Sequence, residues 1–323
     1  MSTLSQNRPR QDSVAHREGT AARPALRARH PRPSPHRRRR RWLGLAYLAP
    51  ALLIYGFVVL LPVGQGVRVS FYHWDGVTAA TSAGFSNYTG FLHDPTLRQA
   101  VAHTLYFIAF FSVLPIILGM SSAALTARKD VHGAGVYRSI IFLPQVLTPA
   151  VAAVVWKRIY APDGPVNDLL KAFGMEGLTR GWLGDYTWAL PALGLSGTWA
   201  AFGLCMALFA AGVQNIPGEL YDAARMDGAG PVREFLTVTL PGLRGQLAVV
   251  LTITMLGAIR VFDIVWLTTK GGPGTSTITP TVVLYQRAFA NPDIGAACAI
   301  GVVLALVSLI VSLVVVKLSE GDD

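Results

Sequence analysis

Long runs of apolar residues, separated by short polar segments, set the pattern of this chain. Six of these runs carry little or no charge and approach the roughly 20 residues that a helix needs to cross a bilayer. Backbone groups in lipid must be satisfied within the segment, so each run predicts a helix rather than a barrel strand. The runs are Leu43–Pro62, Val101–Ala127, Ser139–Trp156, Ala189–Val213, Leu247–Leu267 and Ile294–Val316.

The polar segment between the fourth and fifth runs has the pattern of a helix–turn–helix. Its first helix begins at Pro217, a residue suited to a first turn, and ends at Asp227-Gly228. A second short helix begins at Pro231 and is expected to stop before Leu240-Pro241, since the residue before a proline disfavours helical backbone. The pattern predicts an amphipathic hairpin outside the bilayer, which either meets another protein or lies on the membrane surface.

Composition and charge agree with a membrane protein whose amino terminus is cytoplasmic. Hydrophobic residues make up 52% of the chain and charged residues 14%, below the roughly 25% typical of soluble domains. Residues 1–41 contain 12 Arg and 2 acidic residues, so the net charge of +10 lies in this tail, which is predicted to be disordered. Arg37–Arg41 directly precede the first apolar run, and positive charge beside a span marks its cytoplasmic end. We therefore interpret the arginines as a signal for a cytoplasmic amino terminus, rather than as a nucleic-acid site or part of a cleaved signal peptide.

Residues 219–229 read E-L-Y-D-A-A-x-x-D-G-A, and Phe235 and Thr239-Leu-Pro follow. This pattern resembles the EAA loop of binding-protein-dependent ABC importers, with Asp222 where that family more often has Glu. Similarity to the maltose- and glycerol-phosphate-type sugar permeases covers residues 45–318. It lies in Tyr137–Pro144, Pro149, Trp156, Gly164–Asn167, Phe262-Asp263, Thr269, Gly271–Pro273, Ser276-Thr277, Tyr285 and Ala288-Phe289.

The resemblance implies an all-α permease subunit with six transmembrane helices and a cytoplasmic coupling helix between the fourth and fifth. It also implies four partners: membrane lipid, a second permease in a heterodimer, a cytoplasmic ATPase dimer, and an extracytoplasmic binding protein. That binding protein would deliver a sugar, oligosaccharide or polyol. The motif assigns contact with the ATPase to Glu219, Asp222, Ala223, Ala224, Asp227, Gly228 and Ala229.

The sequence contains no motif for hydrolysing ATP. A G-x-x-x-x-G-K-[ST] loop is missing, and no lysine follows the glycine-rich Gly271–Gly274. The histidines form no H-E-x-x-H pair, and Cys205 and Cys298 lie in apolar runs without a metal-ligand companion. We therefore expect no catalytic residue, metal or cofactor in this chain, and ATP and Mg on the partner ATPase.

Three candidates for the solute pathway or its gate lie within predicted membrane segments. Arg260 and Asp263 are three positions apart, so on a continuous helix they share one face. Charged groups at this depth are paired or line a wet cavity. Arg260 and Asp263 therefore form either a structural ion pair or part of the solute pathway or its gate. Gln145, between Pro144 and Pro149, has either a structural role or a role in the pathway.

These patterns predict a multi-pass protein of the bacterial inner membrane with both termini in the cytoplasm. Its predicted parts are the basic tail 1–41, a first helix and outer loop 42–100, a transmembrane core 101–318 and a C-terminal segment 319–323. The alternative function is an ion-coupled secondary transporter of small polar solutes. That class would have more charges in its spans and no coupling loop.

Overall fold

The computed structural model describes residues 47–127 and 134–320; the tail 1–41 and the extreme C-terminus 321–323 lie outside them. The chain divides into two units, Met1–Gly56 and Phe57–Asp323, and the described part of the first is helical. The elements are α1 (Tyr47–Val69), β1 (Tyr72–His73), β2 (Thr81–Ser82), α2 (Ser86–His93), α3 (Pro95–Leu125), α4 (Ala134–Phe142), α5 (Pro149–Ile159), α6 (Pro165–Ala172), α7 (Ala189–Val213), α8 (Gly218–Met226), α9 (Pro231–Glu234), α10 (Leu240–Gly242), α11 (Arg244–Ile259), α12 (Asp263–Thr268), α13 (Pro280–Tyr285) and α14 (Ile294–Glu320).

The membrane-spanning helices agree with the apolar runs. Among the described residues, five helices are long and apolar enough to cross a bilayer: α1, α3, α7, the segment Arg244–Thr268, and α14 from Ile294 to Leu318. A bent pair, Gly135–Val146 and Pro149–Ile159, makes a sixth if it counts as one span. The predicted helical fold is confirmed, and α7 has the predicted bounds at both ends.

The third predicted span, Ser139–Trp156, is not one straight helix. Its two halves meet at 102°. Thr148 has extended backbone, with ψ at 149°, and its hydroxyl accepts a hydrogen bond from the Val151 N–H at 3.4 Å. Pro149 has no N–H to donate to the preceding turn, so it starts a new helix instead of extending the old one.

The segment between α1 and α3 folds into small elements. Strands β1 and β2 pair antiparallel, with Tyr72 opposite Ser82. Asp94 caps α3 by accepting hydrogen bonds from the N–H groups of Thr96 and Leu97 at 2.7 and 3.3 Å. Helix α3 therefore begins at Pro95, and its cap is an acidic residue of the kind preferred at that position.

Two apolar cores hold the helices together. One contains Leu97, Phe107, Leu193 and Ile300, where α3, α7 and α14 meet. The other lies near the polar hairpin and joins α3, α7 and α11 through a set of buried residues that includes Cys205, Phe209, Leu243 and Val250. This second core fixes the helix ends from which the hairpin projects.

Gly119 sets the distance between α3 and α7. A Cβ atom at this position would lie 2.7 Å from the Cβ of Cys205 and 2.8 Å from the backbone nitrogen of Met206. Backbone atoms cannot move aside as a flexible side chain can. The glycine is therefore required for close packing of the two helices.

We expect Gly119→Leu to destabilise the subunit by about 1–3 kcal/mol, the usual effect of overpacking a core. The measurement is the fraction of protein that stays monodisperse in detergent after heating. Gly64→Leu is the matched control, because Gly64 also lies in a membrane helix but a Cβ atom there would have no other atom within 4 Å. Equal heat stability of the two variants would contradict the packing argument.

Candidate functional site: a helical hairpin and a membrane cavity

The polar segment forms the predicted hairpin. Helix α8 begins directly after Pro217, and none of its residues is buried. Helix α9 begins at Pro231 as predicted, but the helical path does not stop before Leu240-Pro241. It continues through a π-helical turn, Phe235–Thr239, into α10. The wider π turn provides room for a proline within a helical path. The predicted helix end before Leu240 assumed a regular α-helix and was therefore wrong.

The turn between α8 and α9 depends on Gly228. Its φ is +74°, the left-handed backbone that is common for a glycine at a helix end. The Gly228 N–H donates to the Arg225 carbonyl at 3.0 Å, and the Ala229 N–H donates to the Ala224 carbonyl at 2.9 Å. These are the two bonds of a Schellman motif. A Cβ at Gly228 would meet no atom within 4 Å, so the requirement is conformational rather than steric.

The residues that the motif assigns to coupling lie mostly on the hairpin surface. Glu219, Asp222, Ala223, Asp227 and Gly228 are exposed, whereas Ala224 and Ala229 are half-buried beside the turn. Large apolar side chains share this surface: Leu220, Met226, Val232 and Leu236 are also exposed. Acidic residues interspersed with exposed apolar groups suit a protein partner better than water alone.

Sequence reasoning missed the contacts that join the two halves of the hairpin. The Arg225 guanidinium lies 3.2 Å from Asp222 on its own helix and 3.6 Å from Glu234 on α9. The hydroxyls of Tyr221 and Thr239 are 3.1 Å apart. The opposite charges were visible in the sequence, but only the turn geometry brings Arg225 and Glu234 together.

The hairpin is attached to two membrane helices by close glycine contacts. A Cβ at Gly212, near the end of α7, would lie 2.6 Å from the Leu243 side chain. A Cβ at Gly242 would lie 2.7 Å from the side chain of Ile216. Leu243 itself is fully buried. These contacts pack the end of α7 against the chain that enters α11, where the two ends of the hairpin meet.

A cavity of about 410 Å³ lies between α3, the bend of α4 and α5, α7, and the α11–α12 segment. Gln145, Arg260 and Asp263 all line it, so the three residues predicted as pathway candidates share one cavity. Small residues of α7, such as Ala200 and Ala201, leave the space open. The cavity combines an amide, a guanidinium and a carboxylate with apolar walls.

Of the two alternatives for Arg260 and Asp263, the structural ion pair is not formed. Helix α11 ends at Ile259, residues 260–262 are not helical, and Asp263 begins α12. Both side chains are exposed, and within the described residues neither makes an ion pair or a side-chain hydrogen bond. The assumption of a continuous helix was wrong at this point, so three-residue spacing does not place the two charges together.

Hydroxyl groups from a distant segment stabilise this break. Thr279 donates to the carbonyl of Val261 at 3.2 Å, and Thr281 donates to the same carbonyl. A carbonyl that leaves a helix within a membrane needs such a partner. The break between α11 and α12 is therefore stabilised by two threonines at the start of α13.

Two further aromatic residues of the spans, Tyr106 and Trp199, pack against other aromatic rings. Tyr106 stacks on Phe110 with ring centroids 4.7 Å apart, and Trp199 meets Trp156 edge-on at 5.5 Å. Neither Tyr106 nor Trp199 lines the cavity. Their placement favours a packing role over stacking on a solute.

Comparison with known proteins agrees with this architecture. Residues 51–320 match the family model described as "binding-protein-dependent transport system inner membrane component". The chain is 34% identical to the probable ABC transporter permease protein YurN of Bacillus subtilis, over 84% of this chain and 94% of that protein. It is 32% identical to the diacetylchitobiose uptake system permease protein NgcF of Streptomyces coelicolor, over 93% of this chain and 89% of that protein.

A solved structure shares the fold. It is the crystal structure of a bacterial ABC transporter involved in the import of the acidic polysaccharide alginate. The TM-score is 0.74, with 21% sequence identity, over 88% of this chain and 97% of that chain. At this identity the similarity establishes the arrangement of helices.

Proposed function

Since the chain belongs to the family of binding-protein-dependent transport system inner membrane components, we propose that it forms part of the membrane pathway of an ATP-driven importer for a sugar, oligosaccharide or polyol. The observation that carries this proposal is that α7 and the α11–α12 segment connect the cavity to the hairpin. Both line the cavity, and both contact the exposed hairpin at their other ends.

The cavity suits a hydroxylated solute. Gln145, Arg260 and Asp263 offer hydrogen-bond donors and acceptors, and Phe111 and Phe262 supply apolar walls. Ligand sites commonly have volumes of roughly 300–1,000 Å³ and a few convergent polar groups. Relatives are named for diacetylchitobiose, lactose and arabinooligosaccharides. A carbohydrate is thus the solute class that both the cavity and the relatives support.

The charged cavity also supports a second permease as partner. Arg260 and Asp263 lie inside the span Arg244–Thr268, yet both are exposed in the single chain. Exposure of such groups to lipid at the helix centre is unfavourable by about 2.5–3.5 kcal/mol each on insertion scales. A second permease that encloses the cavity, in a heterodimer, would keep these charges in a wet pathway.

The hairpin would dock on a cytoplasmic ATPase, which would bind ATP and Mg. Its acidic residues, Glu219 and Asp222, would meet basic groups there, while Leu220 and Met226 would enter an apolar groove. Docking would place the hairpin in the cytoplasm, and six spans would then place both termini there, in agreement with the arginine-rich segment before the first span. The extracytoplasmic binding protein would approach the opposite face.

Met226 offers the most direct test of docking, because it is 89% exposed at the end of α8. We expect Met226→Cys, with Cys205 and Cys298 replaced by alanine, to crosslink to the ATPase subunit in membranes. The measurement is a shifted band that contains both subunits. Val77→Cys is the control: Val77 is 92% exposed in the loop between β1 and β2 and should react only with reagents added outside. Labelling of Met226→Cys from outside alone would contradict the proposed orientation.

A further inference from the structure

We propose that Tyr221 and Arg225 on one side, and Thr239 and Glu234 on the other, form a brace that fixes α8 against the segment entering α11. The brace would make the hairpin move as one body when the ATPase moves. This inference rests on the proposed function, because it assigns a positioning role within the docking hairpin.

Helix α8 needs such a brace because apolar packing does not hold it. None of its residues is buried. The link from α8 to α9 contains two glycines, Gly228 and Gly230, and neither would have an atom within 4 Å of a Cβ. Glycine backbones have wide conformational freedom, so this link by itself would act as a hinge.

The first link of the brace is ionic. Arg225 lies 3.6 Å from the Glu234 carboxylate, whose side chain is only 6% exposed, and 3.2 Å from Asp222. Ion pairs between two exposed side chains contribute little. Here one partner is buried at the end of α9, so the guanidinium ties an exposed helix to a buried carboxylate.

The second link is a hydrogen bond one helical turn away. Tyr221 and Arg225 are four residues apart on α8 and therefore point to the same side. The Tyr221 hydroxyl lies 3.1 Å from that of Thr239, which is 1% exposed. Leu243, fully buried against α7, follows shortly after Thr239. Two links on one face resist both tilting and rotation of α8.

The test uses the assembled transporter in lipid nanodiscs, with both permeases and the ATPase present. In a background with Cys205→Ala and Cys298→Ala, Ala201→Cys places a thiol in the cavity wall. The measurement is the change in its labelling rate by a membrane-impermeant maleimide when ATP and Mg are added. This change reports coupling between ATPase and pathway, whatever the solute is.

We expect Arg225→Met to reduce the ATP-dependent change to about a tenth, within the usual range of coupling between linked sites. ATP hydrolysis and recovery of the complex should be unchanged. Arg225→Lys should keep most of the response because it keeps the charge. Tyr221→Phe, which removes only a hydroxyl, should reduce it to a smaller degree. Arg233→Met is the matched control, since Arg233 is an exposed arginine on α9 whose side chain makes no ion pair or hydrogen bond among the described residues.

A full response in both Arg225→Met and Tyr221→Phe would overturn the brace and leave the proposed function intact. An equal loss in Arg225→Lys and Arg225→Met would also overturn it, because the charge would then be irrelevant. If Arg225→Met does not assemble, the response of Tyr221→Phe decides. A parent complex that shows no ATP-dependent change would overturn the proposed function, and the brace with it.

Discussion

Asp263→Leu is expected to lower solute uptake about 10- to 100-fold, since a hydrogen bond to a charged group contributes roughly 1.5–3 kcal/mol. Asp263 lines the cavity at the start of α12, and no ion pair within the described residues occupies its carboxylate. The group is therefore available to a passing solute or to water. Uptake of labelled diacetylchitobiose, lactose or arabinooligosaccharide in cells that express the full transporter provides the measurement.

The double variant separates a pathway role from a structural one. If Arg260 and Asp263 neutralised each other, Arg260→Leu with Asp263→Leu would restore what each single change removes. Because the two side chains do not pair, we expect the double variant to remain inactive at normal membrane abundance. Recovery of uptake in the double variant would contradict the pathway role.

Thr252→Leu is the matched control for these variants. Thr252 is a polar residue of α11, its hydroxyl donates to the Ala248 carbonyl at 2.8 Å, and it does not line the cavity. Uptake by this variant should be close to that of the parent. If Thr252→Leu lowered uptake as much as Asp263→Leu does, the loss would reflect a general sensitivity of this span to substitution and would not support a role of the cavity.

Gly228→Val is expected to uncouple ATP hydrolysis from uptake. Left-handed backbone is unfavourable for residues with a Cβ by roughly 1–2 kcal/mol, and more so for a β-branched residue. The turn would open, and α8 would lose its angle to α9. We expect uptake to fall about tenfold, as 1.4 kcal/mol changes an equilibrium by that factor, with insertion and abundance preserved.

Gly230→Val is a close control for Gly228→Val. Gly230 lies two residues further on, in the same turn, and a Cβ there also has no neighbour within 4 Å. Its φ is −74°, which valine adopts without strain. The two variants therefore differ in backbone compatibility alone. Equal uptake by both would show that the left-handed turn is not required for coupling.

Local chemistry let the sequence specify much of this protein. Apolar runs of sufficient length gave the spans, because a bilayer forces each run to satisfy its own backbone. Asp94-Pro95 gave the start of α3, and Asp227-Gly228 gave the left-handed turn of the hairpin. Each of these features depends on residues within a few positions, so a single sequence contains the information.

The tertiary structure decided what depends on distant residues. The break at Arg260 is stabilised by hydroxyls of Thr279 and Thr281 at the start of α13, so helical spacing could not foresee that Arg260 and Asp263 form no ion pair. Gln145 lines the same cavity as Arg260 and Asp263, together with small residues of α7. Arg225 meets Glu234 only after the turn has folded. In each case the partner lies beyond local periodicity, and packing in three dimensions selects it.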